Sequence, residues 1–282
     1  MKASRYSTLT KTRNSMGLTE IIKEHIAWRS QISKLAKADL MKTYNGAALG
    51  WAWAIIKPAV TIFVYWFAFS TGLRGKAGID GFPFFFWLIA GIISWFYISE
   101  MITQGAGAMR SYKHLVTKMK FPISTIPTFV GLSHLTVHMI LLGVVIVLYM
   151  LGGMMPNVYY LQLPFYMFLM YLFCVGWCLF SSMLGAISKD FINLVRSFTM
   201  ALFWLSGIMF DIHTIPVRWA QIIFKLNPIT FTVEGYRNCF VYHRWFWEQP
   251  KLLAVYLAEM LIMWFLALWA YKKLRKEIPD VL

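Results

Sequence analysis

Six long apolar runs dominate this chain, at about residues 52–73, 82–103, 123–151, 162–187, 197–212 and 252–271. About 20 apolar residues wound as a helix cross roughly 30 Å of hydrocarbon, and a helix satisfies its own backbone groups where no water can. The composition agrees: 59% of the 282 residues are hydrophobic and 14% are charged, against about 25% charged in soluble domains. The expectation is an all-α polytopic membrane protein with six transmembrane helices.

A net charge of +15 would suggest nucleic acid as the partner of a soluble chain. Here the basic residues report topology first, because cytoplasmic loops retain Lys and Arg. Ten precede residue 58, four lie between 104 and 122, Lys189 and Arg196 flank residue 190, and four more end the chain; these twenty of twenty-seven mark one side. Six spans would place both termini there, in the cytoplasm, and no nucleic-acid partner is expected. The stretch MKASRYSTLTKTRNS lacks an apolar segment behind it, so no cleavable signal peptide is expected.

Three regions follow: a basic N-terminus over 1–19, an amphipathic interfacial helix over 20–45, and a transmembrane domain over 46–282. On a helical wheel Ile21, Ile22, Ile26, Trp28, Ile32, Leu35, Leu40 and Tyr44 share one half of the second region, with Lys23, Lys34 and Lys37 opposite. In NGAALG the pair Gly46 and Gly50 would let two backbones approach closely, and Trp51 and Trp53 mark the headgroup level. The segment 213–250 carries many aromatics and breaks at Pro216 and Asn227-Pro228. Two short half-inserted helices hinged at Pro228 account for it, since irregular backbone at membrane depth needs protein or a watery cavity around it.

The sequence has no G-x-x-x-x-G-K-[ST], so ATP, if used, binds elsewhere. His134 and His138 share a helix face but lack a third ligand at metal spacing, and are expected to be buried and hydrogen-bonded; no metal site is expected. The three cysteines fit small buried hydrophobes. No nucleophile elbow or other catalytic constellation occurs. Ionisable residues within or beside spans do stand out: Lys57, Glu100 and Glu259. Such groups normally face a bundle interior or a transport pathway, so a proton-coupled carrier or membrane-embedded enzyme using Glu100 or Glu259 stays open as a second class. Phe63, Tyr65 and Phe67 fall toward the middle of their run, where an interfacial belt does not explain them; stacking on sugar rings makes them candidates to line a glycan path.

The order of DLMKTYNGAALGWAWAIIKP, AVTIFVYWFAFSTGLRG, GFPFFFWLIAGIISWF, LVTKMKFPISTIP and NPITFTVEGYR resembles the polysaccharide-exporting ABC-2 permeases, and within them the teichoic acid translocation type. That resemblance implies a subunit in the bacterial cytoplasmic membrane that pairs with a second copy of itself. It further implies two copies of a separate ATPase that bind ATP and Mg, with no cofactor in this chain itself, and outward movement of a lipid-linked anionic polymer; a lipid or drug exporter of the same class is the nearest alternative. It also implies a coupling helix over 105–120, with Arg110, Tyr112, Lys113 and Lys118 meeting the ATPase, and a second contact at Lys189 and Asp190. Substrate entry or headgroup contact would involve Lys37, Lys42, Lys57, Trp51 and Trp53. Family members often carry Asn where this chain has Lys57, a point charge suited to phosphate. Asn227, Pro228, Glu234, Tyr236 and Arg237 fall where the family forms its outer gate.

Overall fold

The computed structural model describes residues 18–69, 81–118 and 121–282. Most of the basic N-terminus, the end of the first apolar run, Arg74, Lys76 and Lys120 therefore lie outside the described residues. The rest is helical: α1 Leu18–Tyr44, α2 Trp53–Phe67, α3 Phe84–Ser111, α4 Lys113–Thr117, α5 Ile126–Leu151, α6 Leu163–Ile187, α7 Lys189–Trp204, α8 Arg218–Lys225, α9 Pro228–Arg237, α10 Pro250–Leu274 and α11 Ile278–Val281.

Among the described residues, five helical stretches are long and apolar enough to cross a membrane: Gly50–Phe67, Phe84–Ser111, Ile123–Leu151, Val158–Ile187 and Pro250–Leu274. The expected run at 197–212 differs. Its helix, α7, begins earlier, at Lys189, capped by the Ser188 hydroxyl. It stops at Trp204, and the chain then turns through Gly207 at φ +64. Sixteen residues at 1.5 Å each span about 24 Å, short of a full hydrocarbon crossing.

Contacts between helix ends give the bundle two poles. At one, Arg110 near the end of α3 bonds the last turn of α6, and Arg275 beyond α10 approaches Glu20 of α1 at 3.9 Å. At the other, Tyr149 late in α5 donates to the Phe86 carbonyl early in α3 at 2.7 Å. Lys113, Lys118, Lys189, Lys272, Lys273 and Lys276 collect at the first pole. The helix α3 runs through the centre: 72% of its most apolar window is buried, against 6% for α2. Thus α2 stands at the edge of the bundle, and its placement depends on few contacts.

Helix α1 packs along α5 and does not lie free on a surface. Ile21, Ile32, Ala36 and Leu40 are buried, while Ile22 and Ile26 face out. The seam is partly polar: Ser124 donates to Glu24, and His25 bonds the Ile21 carbonyl and the Thr128 hydroxyl, both at 2.7 Å. Burial pushes the Glu24 carboxyl up and the His25 imidazole down from their ordinary values, because both charged forms lose water at the seam. Gly46 and Gly50 do not bring backbones together. Both hold positive φ, +89 and +48, and a Cβ on either would meet nothing within 4 Å. They turn the chain from α1 into α2, in backbone conformations that cost glycine little.

Candidate functional site

Where α1 ends and α2 begins, a 560 Å³ chamber opens between α2, α3 and α5. Its polar wall comes from one face of α3, where Ser99, Glu100, Thr103 and Gln104 recur at helical spacing, and from His134 of α5 opposite. Lys57 enters from α2 and donates to the Glu100 carboxylate at 3.5 Å. The other Glu100 oxygen accepts from the Gln104 amide one turn on. Lys57 and Glu100, separated by 43 residues, were each notable in the sequence for being charged near a span; their pairing was not. Ser99, Thr103 and Gln104, which carry the polar face of α3 on either side of Glu100, were not singled out from the sequence.

Trp53, Tyr44 and Thr43 close the mouth of the chamber. Tyr44 stacks on Trp51 with centroids 4.9 Å apart. Burial, and then the nearby Glu100 charge, push the Tyr44 phenol up. Lys37 is exposed on α1, and Lys42 sits 5.6 Å from the Tyr112 ring rather than in the chamber. Of the five entry residues expected, the structure therefore brings Lys57 and Trp53 into the cavity and leaves Lys37, Lys42 and Trp51 around it.

The chamber continues into an apolar groove of 660 Å³ between the same three helices, sharing Pro58, Phe96 and Leu141 with it. Ile62, Phe63 and Trp66 of α2 face Phe85, Ile93, Val144 and Leu148 across that groove. Among the aromatic path candidates, Phe63 lines the groove, Phe67 stacks on Phe63 at 6.2 Å, and Tyr65 turns away to stack on Phe203 of α7 at 5.4 Å. A polar, cation-bearing end joined to a hydrocarbon-lined end has the polarity of an amphiphile. Glu259 lies on α10 and takes no part in lining the chamber.

At the basic pole the expected coupling residues divide by role. The segment 105–111 is the end of α3, with Gly105, Ala106, Ala108 and Met109 buried; the separate short helix is α4 alone. Arg110 is spent internally, donating from Nε to the Gly185 carbonyl and from Nη2 to the Ala186 carbonyl, both at 2.7 Å. It thereby satisfies the last orphan carbonyls of α6. Tyr112 donates to Asp39 of α1, and burial together with that carboxylate holds its phenol far above the usual range. Lys113, Lys118, Lys189 and Asp190 remain exposed. Removing the half-buried Tyr112 hydroxyl leaves Asp39 without this donor, which costs on the order of 1 kcal/mol. Tyr112→Phe should thus loosen the α1 end and raise its protease susceptibility near residue 45, whereas an unchanged digestion pattern would mean the bond contributes nothing to docking.

At the opposite pole, Glu234, Tyr236 and Arg237 among the gate candidates are buried in one node on α9, and Asn227 and Pro228 are half-buried at the start of that helix. Asn227 caps α9 by accepting from Ile229 N at 3.0 Å and donates to the Leu205 carbonyl and the Ser206 hydroxyl. Pro228 occupies the first helical position, where its missing N–H costs nothing. Arg237 is fully buried. It pairs with Glu234 at 2.9 Å, donates to the Gly207 and Ile208 carbonyls at 2.8 and 2.7 Å, and lies 3.3 Å above the Trp87 ring. Tyr236 meets His138 Nε2 at 2.7 Å, so His138 is buried and hydrogen-bonded as expected, whereas His134 is half-buried and lines the chamber. These side chains pin α9 to α3, α5 and the turn after α7. Among the described residues no three His, Cys, Asp or Glu side chains could hold a metal ion.

Comparison with known proteins points in one direction. Over 248 residues the chain is 24% identical to the O-antigen export system permease protein RfbA of Myxococcus xanthus, covering 88% of this chain and 94% of that protein. Two proteins of the same description from Klebsiella pneumoniae are 22% identical over 249 residues (88% and 93%) and 23% over 208 residues (73% and 78%). The ABC-2 type transporter family profile matches residues 30–241, from the middle of α1 through the α9 node, and with at least five membrane-spanning helices this multi-pass membrane protein belongs to the ABC-2 type transporter family.

Proposed function

We propose that this chain is the transmembrane subunit of an ATP-driven exporter that moves a lipid-linked anionic cell-wall polymer, such as a teichoic acid, from the cytoplasmic to the outer face of the cell membrane. The observation that carries the reading is the chamber: Lys57 stands at the polar end of a cavity whose other end is hydrocarbon-lined, the order of polarity that an inner-leaflet lipid phosphate presents. The relatives named for O-antigen export support polysaccharide as cargo. The positive charge at Lys57 favours an anionic head over a neutral sugar chain.

In this reading the basic pole is cytoplasmic and both termini lie there. The turn after α7 completes a sixth crossing, because Phe203 reaches the depth of Trp95 and the carbonyls of Gly207 and Ile208 reach Arg237 beside Gly91. In the same reading helices α8 and α9 form the re-entrant pair over 213–250, and the chain divides at 19 and 45 into a basic N-terminus, an interfacial helix and a transmembrane domain. Two chains and two ATPase subunits assemble, with ATP and Mg held entirely by the ATPase. Lys113, Lys118, Lys189 and Asp190 make the docking face, and Arg110 and Tyr112 support it from behind.

The test is export itself. Cells carrying this chain with an ATPase altered at its P-loop lysine should retain polymer inside the membrane, whereas continued export would favour proton coupling through Glu100 or Glu259. Lys113→Glu with Lys118→Glu should reduce ATPase copurification severalfold while leaving the permease folded. Undiminished recovery of the complex would remove α4 from the docking face.

A further inference from the structure

The Lys57–Glu100 pair has the wrong properties for a structural anchor. Its nitrogen and oxygen are 3.5 Å apart, and the two side chains are 75% and 35% exposed. Pairs of that kind contribute little and exchange partners readily. Yet this is the ion pair tying α2, the least buried spanning helix, to the central α3. Glu100 also does not depend on Lys57 for its place, since Gln104 donates to its second oxygen and His134 faces the same chamber from α5. A carboxylate held independently beside a displaceable cation is what an anionic ligand would compete with.

We propose that Glu100 is an internal stand-in for a lipid phosphate: it occupies Lys57 between ligands and yields it to the phosphate of an anionic lipid whose chain lies in the groove between α2, α3 and α5. The polarity runs the right way for a lipid of the leaflet at the basic pole. Its head would reach the chamber near Gln104 and Thr43, and its chain would run toward Phe63, Trp66 and Phe85. Exchange of Lys57 from carboxylate to phosphate also removes the ionic contact between α2 and α3, while the stacking of Tyr65 on Phe203 and the edge contact of Trp66 with Phe85 keep α2 in place. Glu100 thereby sets a threshold. A zwitterionic head, whose phosphate carries its own counter-charge, does not displace it, and a phosphate of uncompensated charge does. This rests on the reading that Lys57 meets an anionic headgroup.

The test is retention of lipid by the full chain in phosphatidylcholine nanodiscs doped with a polyisoprenyl phosphate or, in a parallel arm, with phosphatidylglycerol, counted by native mass spectrometry. Lys57→Gln should lower polyisoprenyl phosphate retention about fivefold, and Glu100→Gln should raise it by up to about fivefold, the range in which a half-exposed ion pair acts. Opposite signs are the signature. A merely structural tie would make both variants fall together and would overturn the proposal. The double variant Lys57→Gln/Glu100→Gln should match Lys57→Gln alone, which separates ligand competition from loss of fold. Val144→Trp should fill the groove and lower retention, and no change there would overturn the placement of the chain. An equal response to phosphatidylglycerol would assign the phosphate to bulk membrane lipid. These measurements need neither ATPase nor export, so opposite signs would stand even if the polymer-export reading failed.

Discussion

Arg237→Met should unfold the α9 node, at a cost of about 3–5 kcal/mol, because it leaves the Glu234 carboxylate buried and unpaired. The Gly207 and Ile208 carbonyls lose their donors in the same step, and Trp87 loses the cation above its ring. The expected readout is a large fall in thermal stability in detergent and a shift from a single gel-filtration peak to aggregate. Adding Glu234→Gln removes the stranded charge and should recover part of the loss. If Arg237→Met alone keeps the wild-type melting temperature, the node is not what fastens α9. Gly91→Ala acts on the same group more gently, since its new methyl would sit 2.9 Å from the guanidinium.

Gly185→Ala should be the second large effect, with a different cause. Its Cβ would fall within the contact radius of the Ala106 carbonyl oxygen and 3.0 Å from the Ile192 side chain. The obstacle is backbone, so no rotamer change relieves it, and α6 must move away from α3. Overpacking of this kind typically costs about 1–3 kcal/mol. The substitution should also lengthen the Arg110 bonds to Gly185 and Ala186, which puts the expected loss at the upper end. Gly107→Ala, on the same helix as Ala106 but with nothing within 4 Å of its Cβ, is the matched control and should be near neutral in the same melting assay.

Much of the architecture was legible because hydrocarbon thickness and helix rise leave few alternatives. Five of the six apolar runs correspond to spanning helices, and the 3.6-residue pattern of residues 20–45 located α1. The run at 197–212 is helical only as far as Trp204, because hydropathy does not distinguish apolar residues that continue a helix from apolar residues in a turn around a left-handed glycine. Gly46 and Gly50 misled similarly, since a pair of glycines four apart serves close packing or a tight turn equally well. In the chamber, each ionisable residue was visible singly, through the cost of placing charge near lipid. What joined them was not: Lys57 meets Glu100 across 43 residues and His138 meets Tyr236 across 98. Likewise Arg110 reads as a surface charge in sequence, and only the direction of its side chain shows that α6 uses it.

That internal use of Arg110 changes the character of the proposed docking face. With the planar, bidentate cation turned inward, the exposed cations among the proposed docking residues are lysines, Lys113, Lys118 and Lys189, and Lys272, Lys273 and Lys276 near the chain end add to them. Lysines act as hydrated point charges with little geometric demand, and exposed charges lose their reach as the Debye length falls from about 10 Å at 0.1 M salt to about 3 Å at 1 M. Association with the ATPase should accordingly be governed by ionic strength. Complexes isolated in dilute buffer would be expected to shed their ATPase during a high-salt wash and regain it on dilution.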